Sequence, residues 1–210
     1  DGLSRQLSNR ISDAGARAGV GRYDEARLIY TGDLFATTGN DGPERRTVHL
    51  GLDVFMAAGS AVLAPLDGVV TSAVDNAGPL DYGPTIILEH APAGGPRFYT
   101  LYGHLSRESL RNLRAGQAVT RGQRIGTLGD ASVNGGWPPH LHFQIIADLV
   151  GRTGEFPGVA PASQRAANAK MMKCRSIRPS ASRTITSRWP ANATGAIAMP
   201  TSSSISRTSA

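Results

Sequence analysis

Three short stretches of this chain set metal-ligating side chains at strand spacing. In "GGWPPHLHFQII", residues 135–146, His140, His142 and Gln144 fall on one face of an extended strand, and Leu141, Phe143 and Ile145 fall on the other. The pattern predicts that the apolar trio faces a core and that the histidines look outward. An isolated His-x-His more often marks a solvated strand face than a site, so corroboration has to come from elsewhere.

It comes from "RTVHLGLDVF", residues 46–55, where strict alternation sets Val48, Leu50, Leu52 and Val54 on one face and His49, Gly51 and Asp53 on the other. Gly51, lacking a side chain, leaves space above the backbone where an ion or a substrate could approach. Imidazole and carboxylate both ligate Zn²⁺ at about 2.0–2.2 Å, and a catalytic zinc takes three protein ligands and leaves one position to water. His49, Asp53 and one histidine of the 140/142 pair make that count. A third stretch, "FYTLYGHL", residues 98–105, puts Phe98, Thr100, Tyr102 and His104 on one strand face. His104 stands at the strand's end, where sites built from loops and strand termini lie. His90, closing "TIILEH", has no second ligand type beside it and reads as structural or solvated.

These residues resemble the lysostaphin-type, LytM-like zinc endopeptidases, whose pattern is His-x-x-x-Asp, then a strand ending Tyr-x-His-Leu, then His-x-His-Phe. The chain carries His49 to Asp53, Tyr102-Gly103-His104-Leu105 and His140-Leu141-His142-Phe143 in that order. The resemblance covers about residues 43 to 150, including "APLDGVV" and "AGQAVTRGQRIGTLGD". It implies a zinc ion held by His49, Asp53 and His142, with His104 and His140 as the catalytic pair. It also implies a peptide substrate of the kind that cross-links bacterial peptidoglycan, which suits a groove flanked by Tyr102, Gly135, Gly136 and Trp137. "LYGHLSRESL" with "GGWPPHLHFQII" further resembles a subgroup in which such a domain lies between a phosphotransferase-like and an aminotransferase-like domain. That subgroup implies a cytoplasmic peptidase or amidase, whereas the family at large implies the periplasm or the cell exterior. The approach to His140 departs from the family's common Gly-Ser-Thr-Gly-Pro-His, because "NGGWPPH" brings Trp137 and two prolines that restrict the loop and bear on substrate preference.

The chemistry stands without the resemblance. Zinc lowers the pKa of its water to about 7 and polarises a carbonyl. Amide hydrolysis also needs a proton acceptor, a proton donor to the leaving nitrogen and a partner for the oxyanion, and histidines outside the ligand set suit those tasks. No carboxylate stands where the glutamate base of a His-Glu-x-x-His metalloprotease would be.

To hold these residues, the chain needs strands and tight turns. Asp67-Gly68, Gly94-Gly95, Gly116 and Gly122 punctuate short Val, Ile and Leu runs, which predicts a mainly β fold with hairpins. The resemblance adds an antiparallel β-sheet core of the LytM-like duplicated hybrid type with short helices. "SRESLRNL" predicts a short helix capped by Ser106. Leu3, Leu7 and Ile11 have helical spacing, and "ARLIY" reads as a strand leading inward. The expected organisation is an N-terminal extension over 1–42, the metallopeptidase domain over 43–160, and a basic Ser/Arg/Thr-rich tail over 161–210 that lacks the apolar pattern to fold. Starting at Asp1 without a hydrophobic signal region, the chain reads as a segment of a longer protein.

A formal charge of +6 and a pI near 10.1 would ordinarily suggest a nucleic-acid binder. Up to Glu155, however, 14 arginines stand against 16 acids, a balance of −2, and the eight basic residues beyond it meet no acid. Nucleic acid is therefore not an expected partner. No apolar run is long enough to span a membrane. The lone cysteine, Cys174, allows no intrachain disulfide and offers the site no thiolate. A lipoyl-type or biotin-type carrier, suggested locally by "APLDGVV", needs a modifiable lysine at a hairpin tip, and the only lysines are Lys170 and Lys173 in the tail. The remaining rival is a non-catalytic peptidoglycan-binding or regulatory module. Such relatives typically lose metal residues, and all five are present here.

Overall fold

The computed structural model describes residues 2–30, 32–39, 41–167 and the backbone of 196–197. Helix α1 (Gly2–Asp13) is followed by β1 (Gly19–Gly21), β2 (Glu25–Ala26), β3 (Ala36–Gly39), β4 (Gly42–Arg45), β5 (Val48–His49), β6 (Leu52–Phe55) and β7 (Ala61–Leu63). Then come β8 (Gly68–Asn76), β9 (Gly83–His90), β10 (Phe98–Gly103), β11 (Ala118–Val119), β12 (Arg124–Thr127), β13 (His140–Ile146), β14 (Val159–Ala160) and β15 (Ala196–Ile197). The expectation of an unfolded tail falls almost wholly outside the described residues.

A seven-stranded sheet in the order β1-β6-β13-β10-β9-β8-β11 carries the fold, and every pairing in it is antiparallel. The mainly β, antiparallel expectation holds. Its central strands are apolar on both faces. Ile86, Leu88, Tyr102, Leu141 and Phe143 pack into one cluster, while Ile87, Leu101 and Ile146 pack on the opposite side with Leu149 and Phe156. Each of these large side chains contributes about 1.5–3 kcal/mol of burial. The second cluster lies on the face that carries the histidines, because Ile146 shares its strand parity with His140, His142 and Gln144.

That arrangement corrects the expectation of outward-looking histidines: His140, His142 and Gln144 are all buried. Leu141 and Phe143 are in the core as expected, but Ile145 is 41% exposed. The alternation read through residues 46–55 also breaks. β5 pairs with β2 and β14 in a three-stranded sheet, whereas β6 belongs to the large sheet. Val48 and Leu50 accordingly pack with Ala160 and Tyr23, apart from Val54, which packs on the main cluster.

Other expectations change similarly. Tyr102 is fully buried in the main cluster, its hydroxyl 2.9 Å from Thr100 Oγ1, so it cannot flank a substrate. Strand alternation put it on the same side as His104, but that side of β10 is core. Residues Arg107–Leu110 form a 3-10 turn, and Ser106 gives no side-chain cap, because its hydroxyl bonds Ser109 and Thr127 instead. His90 is structural: Nδ1 lies 2.8 Å from Asp67 O and Nε2 lies 2.8 Å from Thr100 Oγ1. The N-terminal residues do more than lead in. β1 is the edge strand of the large sheet beside β6, and β2 pairs with the strand that carries His49.

Candidate metal centre

His49 ends β5, Asp53 lies in β6, and His142 lies opposite Asp53 in the β13–β6 register. Their donor atoms converge. His49 Nε2 is 3.0 Å from His142 Nδ1, and Asp53 Oδ1 is 3.2 Å from each of these nitrogens. Donors placed tetrahedrally at about 2.0–2.2 Å from a common ion would stand about 3.3–3.6 Å apart. All three side chains are buried, and they form a group capable of holding a metal ion.

Hydrogen bonding fixes which atoms carry lone pairs. His49 Nδ1 donates to Arg22 O at 3.3 Å, which leaves Nε2 unprotonated. Gln144 Nε2 donates to Pro157 O at 3.2 Å, and this turns its Oε1 toward His142 Nε2, 3.1 Å away. His142 Nε2 is therefore the donor, with Tyr82 Oη also nearby at 3.5 Å, and Nδ1 presents a lone pair. Two imidazole lone pairs and a carboxylate oxygen thus face one point. Asp53 Oδ1 is buried and receives no hydrogen bond. Electron-rich atoms brought together in this way repel one another unless a cation lies among them, so the residues present fit a divalent metal. Asp53 stays ionised despite its burial, with its Oδ2 paired to the Arg27 guanidinium. Burial in turn pushes the His49 imidazole down, which keeps it neutral and able to ligate.

Gly51 does not leave open space for an ion, as its missing side chain had suggested. A Cβ there would meet His142 Cε1 at 2.5 Å and Nε2 at 2.6 Å, so the glycine makes room for the ligand ring.

His104 and His140 stand beside the donors without joining them. Their ring centroids are 4.2 Å apart. His104 Nδ1 lies 3.1 Å from Asn134 O, and His140 Nδ1 lies 2.6 Å from Pro138 O. Each main-chain carbonyl fixes the proton on Nδ1 and leaves Nε2 with a lone pair. His140 is also stacked on Phe55 at 4.9 Å. His104 adopts φ +61°, a left-handed conformation that costs a non-glycine residue about 1 kcal/mol or more. Two main-chain bonds hold it there, from its N–H to Tyr82 O and from Gly129 N–H to its own carbonyl. Burial lowers both imidazoles, and His140 and His142 lower His104 further.

A groove of about 530 Å³ opens over these five residues. Tyr30, Phe35 and Trp137 form an aromatic wall, with the Trp137 ring edge-on to Tyr30 at 6.1 Å. Leu3 and Leu7 of α1 also line the groove. Trp137 thus lies where it was expected, whereas Gly135 and Gly136 do not line the groove. They form the loop behind it, at φ +82° and +88°, and Gly135 O accepts from Leu80 N–H.

Several residues escaped the sequence reading. Arg27 Nη1 lies 2.5 Å from Asp53 Oδ2, Tyr82 packs on His104 and His142, and Gln144 orients His142. For Gln144 a signal existed, since it shares the strand face of His140 and His142. For Arg27 the hint was only the density of charge and aromatics in "GRYDEARLIY".

An antiparallel β fold with a convergent His, Asp, His donor set defines the class of this chain as a candidate metal-dependent hydrolase. Residues 47–153 match the model of peptidase family M23, and the chain belongs to that family. Over 96 residues it is 35% identical to an uncharacterized metalloprotease of Haemophilus influenzae, a match covering 46% of this chain and 18% of the relative. Over 103 residues it is 34% identical to the peptidoglycan DD-endopeptidase ShyA of Vibrio cholerae, covering 49% of this chain and 21% of the relative. The matched region is about a fifth of the length of these relatives. Among solved structures, the catalytic domain of the antimicrobial peptidase lysostaphin from Staphylococcus simulans is similar at 25% identity and a TM-score of 0.45, with coverage of 79% of this chain and 96% of that one.

Proposed function

We propose that the chain is a zinc-dependent endopeptidase acting on a peptide cross-link of peptidoglycan, with His49, Asp53 and His142 as metal ligands and His104 and His140 as the catalytic pair. The observation that carries this reading is the convergence of two imidazole nitrogens and the orphaned Asp53 Oδ1 on one point. Zinc bound there would supply Lewis acidity toward the scissile carbonyl and an acidified water.

The remaining steps belong to the protein. The Nε2 lone pairs of His104 and His140 are the available proton acceptors, because Nδ1 of each ring is tied to a carbonyl. An imidazole that takes a proton from the attacking water becomes a donor and returns that proton to the leaving nitrogen, while the oxyanion would face a bound metal. Burial keeps both rings neutral before that transfer. The aromatic wall and residues Phe156 to Val159 line the groove in which we place the peptide. The peptidoglycan substrate is supported by the name of the Vibrio cholerae relative.

The test is to load the chain with zinc and incubate it with purified sacculi and with panels of Gly-rich and D-amino-acid peptides, following new amines. Chelator-sensitive amine release is the expected result. Full zinc occupancy with no release from any substrate would favour a non-catalytic module.

A further inference from the structure

The region shared with family M23 begins at residue 47, yet two of the three candidate ligands are oriented from outside it. His49 Nδ1 is held by Arg22 O, and the main chain of β5 is bracketed by residues 24–27, through Asp24 N–H to His49 O and Arg27 N–H to Thr47 O, each at 2.8 Å. Asp53 is held by Arg27, whose Nη1 reaches Oδ2 at 2.5 Å. The guanidinium is itself fixed on its other edges. Nη1 also donates to Tyr30 Oη at 3.0 Å, and Nε donates to Glu25 Oε2 at 3.2 Å.

A glycine opens the route. In the β1–β6 pairing Gly21 stands opposite Asp53, and a Cβ on Gly21 would meet Arg27 Nη2 at 2.5 Å. Any other residue there would force the guanidinium to shift. The Arg27 side chain is 13% exposed and that of Asp53 is 3% exposed, so the pair is shielded from the screening that weakens surface ion pairs. The two carboxylate oxygens are consequently divided: Oδ2 faces the guanidinium and Oδ1 faces the imidazole nitrogens.

We propose that Arg27 is a positioning residue of the metal centre, supplied by the segment 19–30, which holds Asp53 Oδ2 so that the carboxylate offers a cation one oxygen only. The proposal rests on the metal-site reading above. A carboxylate free to bind through both oxygens would fill the coordination position that water needs, and it would carry its full charge to the metal. Arg27 prevents the first and draws off part of the second. By the same reasoning the working unit starts near residue 19, ahead of the 43–160 domain expected from sequence.

The test compares the full chain with its Arg27→Met and Arg27→Lys variants, using Zn²⁺ affinity from chelator competition and the visible absorption of the Co²⁺ form. R27M should lose Zn²⁺ affinity by about 10–100-fold, the usual effect of removing a partner that orients a metal ligand. Its Co²⁺ bands should weaken as the freed oxygen raises the coordination number. R27K, which keeps a cation on Oδ2, should bind within about threefold of wild type and retain the wild-type spectrum. If R27M does not fold by circular dichroism, Arg27→Gln replaces it in the same comparison. Unchanged affinity and spectrum in the uncharged variant would overturn the proposal, as would an R27K variant as weak as R27M. A wild-type chain that binds no Zn²⁺ would overturn the metal-site reading itself and this proposal with it.

Discussion

His104 and His140 face each other across 4.2 Å, each pinned at Nδ1 by a main-chain carbonyl, with His140 Nε2 3.8 Å from Asp53 Oδ1. Neither contributes an atom to the His49, Asp53, His142 cluster. His104→Ala and His140→Ala should therefore keep stoichiometric zinc by elemental analysis while turnover falls by about 10²–10⁴-fold. Zinc loss in both variants would make them ligands, and wild-type rates in both would remove the catalytic pair.

The ligand ring of His142 occupies the space over Gly51. Gly51→Ala puts a methyl group 2.5 Å from His142 Cε1 and 2.9 Å from Phe143 O, so the ring has to move. Zinc affinity should drop at least tenfold, and the melting temperature should fall with an overpacking cost of about 1–3 kcal/mol. Chelator competition with calorimetry on the same sample reads both. An unperturbed zinc affinity would show that the ring has slack that the packing does not suggest.

Spacing alone singled out His49, Asp53 and one of the pair His140 and His142, and only the family resemblance chose His142, which the fold sets opposite Asp53 across β13 and β6. Alternation says which side chains share a face. It does not say whether that face meets water. His142 and Gln144 are buried where Gly158 lies against the ring and Pro157 O takes the amide, and no local pattern announces a cover that arrives from distant chain. The same gap put Tyr102 beside a substrate when its face of β10 is core. Arg27 was invisible for another reason, since a single arginine in a charged segment has no period, and its meaning appears only when β1 pairs with β6.

His90 predicts a pH dependence away from the site. Burial holds its pKa below the unfolded value of about 6.5, partly offset by Asp67 O. The native state then binds fewer protons than the unfolded state, so the stability it contributes is complete above about pH 6.5 and is lost as pH falls toward the folded pKa. With chelator present, the urea midpoint of the wild type should fall between pH 7 and pH 5, and His90→Gln should flatten part of that fall. Equal slopes would mean that the pKa of His90 is the same in the folded and unfolded chain.

Trp137 stands on the groove wall with its ring edge-on to Tyr30 and is not among the grouped metal-ligating side chains. Trp137→Ala should raise KM several-fold on any peptide the wild type cleaves and leave kcat and zinc content nearly unchanged, since it removes binding common to ground and transition states. A fall in kcat with KM constant would place the indole in the reaction itself.

His49 and Asp53 are four residues apart but lie in different sheets, the first in the three-stranded β14-β5-β2 unit and the second in the seven-stranded one. A metal ion bridging them would act as a rivet between the two sheets, added to the Arg27–Asp53 ion pair and the Gln144–Pro157 hydrogen bond. The small sheet has only two-residue strands, so without the rivet it should open on its own while the large sheet stays closed. Amide hydrogens of residues 24–27, 48–50 and 158–160 would then exchange quickly in the metal-free chain and slow together when metal is added, merging two cooperative units into one.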